Sequence, residues 1–124
     1  MIHQFFTAAK NGDQAALISM LAEGSEMWAD GGGKVSAILY VLEDPNKISA
    51  FFKGLGRLGT FNPENRKLEF TSVNSRPGLI ISKKLENGLW DFETIMSFEF
   101  AGNKILRIYS QRNPDKLETL TRMN

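Results

Sequence analysis

The 124-residue sequence contains no cysteine, so neither a disulfide framework nor a thiol nucleophile is open to it. It has one histidine, His3, too few nitrogen ligands for an ordinary zinc site. Lying next to the N-terminus, that residue is expected to fray rather than to catalyse. No apolar run approaches the ~20 residues of a membrane-spanning helix. The N-terminus also lacks the basic-then-apolar pattern of a secretory signal, so the expectation is a soluble, cytoplasmic protein. Charge of neither sign dominates. Fifteen Lys and Arg against fourteen Asp and Glu give a net charge of +1, too even for a sequence-independent grip on nucleic acid. No metal or other cofactor is expected.

What is present is an apolar content of 42%, enough for one domain over residues 1–124 to bury a core of its own. No repeat, low-complexity tract or linker divides the chain. Its charge is unevenly placed: Lys10 alone opposes Asp13, Glu23, Glu26 and Asp30 early on. Late in the chain Lys104, Arg107, Arg112, Lys116 and Arg122 outnumber Asp115 and Glu118.

Ile2, Phe5, Phe6 and Ala9 recur at helical spacing and stop at Asn11-Gly12. Asp13 caps a second predicted helix whose stripe is Leu17, Met20 and Leu21, ending at Gly24. Met27–Asp30 reads as a strand, Gly31-Gly32-Gly33 as a tight turn and Val35–Val41 as the returning strand. Asp44 and Pro45 open a third helix with Ile48, Phe51, Phe52 and Leu55 in one stripe, unwound by Gly54, Gly56 and Gly59. Four strands follow, at Lys67–Val73, Gly78–Lys84, Leu89–Phe100 and Lys104–Ser110, separated by turn residues. In the long strand Trp90, Phe92, Thr94, Met96, Phe98 and Phe100 alternate with Asp91, Glu93 and Glu99, which places those acids toward solvent. Helices first and hairpins last predict an α+β fold, a curved antiparallel sheet packed on three helices. That order resembles the cone of the NTF2-like superfamily, whose sheet leaves a cavity at its wide end. Trp28, Asp30, Tyr40, Phe51, Phe52, Leu55, Phe92, Met96 and Tyr109 are the candidate lining.

Gly54-Leu55-Gly56-Arg57-Leu58-Gly59 matches G-x-G-x-x-G, but a dinucleotide site needs that loop between a strand and a helix. Here it follows a helix, and the nucleotide reading fails. Gly31-Gly32-Gly33-Lys34 lacks the Gly at 28 and the Ser or Thr at 35 of a phosphate loop. Acid–base chemistry has two candidates, Asp30 beside Trp28 and Tyr40, and Asp91 beside Trp90, since an aromatic wall raises a carboxylate's pKa. Polyketide cyclases, ketosteroid isomerases and small epoxide hydrolases resemble this chain in element order. Their cavity sets of carboxylates, tyrosines or Asp-Arg-Asp find no aligned counterpart here, so no catalytic residue is assigned.

Asp30-Gly31-Gly32-Gly33-Lys34 and Asn113-Pro114-Asp115-Lys116-Leu117 together resemble the SnoaL-like C-terminal domain of extracytoplasmic-function RNA polymerase sigma factors, a bacterial family. Further likeness lies in Ala8–Asp13, Leu17–Ala22, Val35-Ser36-Ala37, Phe51–Leu55, Val73-Asn74, Pro77-Gly78 and Ile108-Tyr109. The resemblance implies a non-catalytic regulator of transcription initiation that contacts sigma factor regions or an RNA polymerase-associated protein. Its face would be Asp30, Gly31, Gly32, Gly33 and Lys34, extended by Arg112, Asn113, Pro114, Asp115, Lys116 and Leu117. The sigma regions that contact promoter and polymerase are absent from these residues, so promoter recognition is not expected in them. A small apolar ligand in the cavity, or a homodimer through the open sheet face, is compatible with the same fold. The alternative is an enzyme acting on a small apolar ketone, epoxide or polyketide-like compound, with Asp30 as base and Tyr40 or Trp28 orienting.

Overall fold

The computed structural model describes residues 1–30, 39–73 and 75–112, with backbone alone for Asp30, Leu39 and Tyr40. Helix α1, Ile2–Asn11, buries Ile2, Phe5, Phe6, Ala8 and Ala9 along one stripe. It closes on Gly12, whose φ of 70° is a left-handed conformation that glycine adopts without steric cost. Asp13 then caps α2, Gln14–Met20, its Oδ1 accepting from the Ala16 N–H at 3.1 Å.

The second helix, expected to run to Gly24, stops at Met20. Leu21 is extended and begins β1, Leu21–Asp30, because pairing with the last strand outweighs local helix periodicity there. Strand β2, Leu39–Glu43, returns antiparallel to β1. The expected glycine turn and the strand start at Val35 lie outside the described residues.

Helix α3, Pro45–Arg57, starts as its sequence signals predict: Asp44 Oδ1 accepts from the Lys47 N–H at 3.0 Å and Pro45 fills the first turn. Its end corrects the sequence reading. Gly54 and Gly56 do not unwind it; the helix passes through both. At Gly56 a Cβ would collide with the Ala9 carbonyl oxygen, so the missing side chain is what lets α1 and α3 touch.

Strands β3 (Arg66–Val73), β4 (Arg76–Lys84), β5 (Trp90–Ala101) and β6 (Lys104–Arg112) complete a six-stranded sheet of order β2-β1-β6-β5-β4-β3. The sheet is mixed rather than wholly antiparallel, because β1 runs parallel to β6. Three register shifts bend it, one between β1 and β6, one in β4–β5 and one in β5–β6. The helices cover one face. Phe5, Phe6, Phe52, Phe61 and Phe98 meet there edge to face, centroids 4.9–6.0 Å apart, over Met27, Leu79, Ile81, Met96, Ile105 and Ile108. Each such fully buried side chain contributes ~1.5–3 kcal/mol. His3 lies in α1 with its ring stacked on Phe70, centroids 3.7 Å apart.

Candidate functional site

The bends leave one end of the sheet uncovered by the aromatic core, and a cavity of about 530 Å³ opens there. Ala29, Leu42, Phe51, Leu55, Ile81 and Met96 form its apolar walls. Thr60, Arg66, Glu93, Thr94, Ser110 and Arg112 set polar groups among them. The volume lies within the ~300–1,000 Å³ of small-molecule sites.

Glu93 overturns the alternation argument. Ile81 pairs with Thr94 but Ser82 pairs with Phe92, so Glu93 is the extra residue of a β-bulge. A bulge turns two successive side chains toward one face, and Glu93 and Thr94 both line the cavity. Glu93 Oε1 meets Arg66 Nε at 3.0 Å, with the two side chains only 14% and 16% exposed. Beyond the bulge the parity of β5 reverses. Phe92, expected in the cavity, shares the parity of Ser82 and is not among the lining residues.

Other expected lining residues divide. Phe51, Leu55 and Met96 line the cavity. Phe52 is fully buried in the aromatic core beneath it. Trp28 lies between the buried Met27 and the cavity-lining Ala29, so it faces the opposite side of the sheet, in register with Tyr109. Its indole Nε1 is buried with no acceptor among the described residues. Asp30 and Tyr40 are placed by backbone alone, at paired ends of β1 and β2. Gly31–Lys34 and Asn113–Leu117 lie outside the described residues. Asp91 pairs in register with Lys83, and Lys67 Nζ stands 5.9 Å over the Trp90 ring.

Tyr109 belongs to a network on the face away from the helices. Its hydroxyl donates to Glu99 Oε1 at 2.5 Å. Arg76 Nη2 approaches that oxygen at 3.5 Å, and Arg107 bridges Glu99 at 3.6 Å and Glu26 at 3.4 Å. The Tyr109 hydrogen bond chiefly, with Arg76 and Arg107 behind it, holds the Glu99 carboxyl below its ordinary pKa against opposing desolvation. The same bond raises that of Tyr109, helped by desolvation. Alternation is the sequence signal that could have found this face, since Ile108 faces the core and its neighbour must face away.

Among the described residues no helix is long and apolar enough to cross a membrane. Nor does any group of three His, Asp or Glu side chains there form a metal cluster.

No protein-family model matches the chain, and no curated protein matches it. Solved structures do. The extracytoplasmic function sigma factor SigJ of Mycobacterium tuberculosis is similar over 94% of this chain, with a TM-score of 0.64 and 18% identity. This chain spans 43% of that one. An NTF2-like protein from Cytophaga hutchinsonii is similar over 94% of this chain and 90% of its own, TM-score 0.59, at 12% identity. A de novo designed protein with a curved β-sheet covers 98% of this chain and 89% of its own length, TM-score 0.64, 13% identity. At these identities the likeness is one of fold, and the fold is the α+β cone of NTF2-like proteins.

Proposed function

We propose that this chain is a regulatory binding domain rather than a catalyst. It takes up a small apolar molecule in the cavity and docks on a sigma factor, or on an RNA polymerase-associated protein, through residues 30–34 extended by 112–117. One observation carries this reading. β1 ends at Asp30 and β6 at Arg112, and Asp30 is in register with Gln111, so the two strand ends that carry the motifs lie side by side at the cavity. A ligand touching Ala29, Ser110 and Arg112 therefore sits next to the attachment of each motif, where it can bias one docking state over another. Likeness in fold to SigJ supports the choice of partner. The chemistry of the motif supports it too: bare glycine backbone approaches a surface closely while Asp30 and Lys34 set register by opposite charge. Asp30→Ala with Lys34→Ala is expected to weaken capture by isolated sigma factor regions while the far-ultraviolet dichroism stays unchanged. Undiminished capture contradicts the reading.

A second reading draws on Glu93. A carboxylate turned into an apolar cavity is also where a proton-abstracting base stands. Here that carboxylate is engaged by Arg66, which favours the binding role. Incubating the chain with small apolar ketones in D2O separates the two. The binding reading predicts no deuterium incorporation beside the carbonyl above the buffer rate. Incorporation lost in Glu93→Gln establishes the enzyme.

A further inference from the structure

Resting on the ligand half of that reading, we propose that the molecule held in the cavity is an organic monocarboxylic acid. Its carboxylate is received by Arg112 and Arg66 and its apolar body lies against Phe51, Leu55, Ile81 and Met96. The charges of the described lining do not cancel: two guanidinium groups face one carboxylate. Glu93 meets the Nε edge of Arg66 through Oε1, and the Asn65 carbonyl takes Nη1 at 3.4 Å. A guanidinium carries five N–H donors in a planar fork suited to a carboxylate, so this pairing leaves donor capacity.

Arg112 has no carboxylate partner among the described residues. It is exposed at the end of β6 and in register with Thr94, the neighbour of Glu93. The two arginines thus flank the bulge, one largely buried inside the cavity and the other at its mouth. Thr60, Thr94 and Ser110 add hydroxyl donors to the same lining. A cationic head group is repelled by this arrangement. A second carboxylate on the ligand meets Glu93 itself, which limits the ligand to one. The rest of the described lining, Ala29, Leu42, Phe51, Leu55, Ile81 and Met96, is apolar and suits a hydrocarbon or aromatic body.

The test uses the full chain and a panel of straight-chain and phenyl-substituted acids of about six to twelve carbons, sized for this class of pocket. Each acid is paired with its own primary amide, and binding is read by titration calorimetry at neutral pH. At least one acid is expected to bind about tenfold or more tightly than its amide, the scale of a charge-assisted hydrogen bond. Arg112→Gln, a change at an exposed strand end, should reduce that preference, with Arg66 alone left to receive the carboxylate. An unchanged preference contradicts the role of Arg112. Glu93→Gln removes the competing carboxylate and should strengthen acid binding, the opposite sign. Amides that bind as well as their acids overturn the carboxylate assignment and leave the ligand reading standing. A panel in which nothing binds overturns both, while the docking half is read separately by titration with sigma factor regions.

Discussion

Tyr109 and Glu99 make a pair whose pH dependence has two signs. Glu99, its pKa lowered in the fold, contributes stability above the ordinary carboxyl value of 4.5 that is lost as pH falls through the folded pKa. Tyr109, its pKa raised, contributes stability present below its ordinary 10.0 and lost as pH rises toward the folded value. Tyr109→Phe should therefore reduce the alkaline fall in the urea midpoint and shrink the acid one, because Arg76 and Arg107 still hold Glu99. An alkaline shoulder unchanged in the variant contradicts the assignment. Glu93 shows the limit of single-residue reading. Its position in an alternating strand points to solvent, yet one extra residue in β5 turns it inward to Arg66, 27 positions away. Nothing local in the sequence marks that bulge, since it is set by the register of β4 against β5.

Elements whose signals are local are legible in the amino-acid sequence alone. The caps at Asp13 and Asp44, Pro45, the Gly12 stop and the Gly88 and Gly102 turns all mark boundaries through their own backbone chemistry. Elements fixed by distant partners are not. The start of β1 at Leu21 and its parallel run beside β6 depend on pairing across 84 residues, from Leu21 to Ile105. Gly56 belongs to the same category. In sequence it resembles a helix breaker or half a nucleotide motif, whereas in the fold it is the point where α1 rests on α3. Gly56→Ala raises helix propensity by ~1 kcal/mol but drives a methyl into the Ala9 carbonyl. Overpacking of this kind costs ~1–3 kcal/mol, so net destabilisation is expected in a denaturant melt. A variant more stable than the parent contradicts the close contact.

At the scale of the whole molecule, the cone brings together what the sequence keeps apart. Arg66 and Glu93, Ala29 and Ser110, and the ends of β1 and β6 converge on one cavity. Part of the expected lining is legible because Phe51, Leu55 and Met96 lie on stripes with a single period. Phe92, Trp28 and Tyr109 fall elsewhere because sheet parity, not hydrophobicity, decides which side a strand residue serves. The proposed reading as a ligand-responsive docking domain rests on that convergence. Titration of the intact chain into purified sigma factor polymerase-binding and promoter-binding regions tests that claim most directly. Saturable binding, weakened about tenfold (~1.4 kcal/mol) when Asp30 and Lys34 become alanine, is the predicted result. Binding indifferent to both substitutions, or no binding by the folded parent chain, contradicts it.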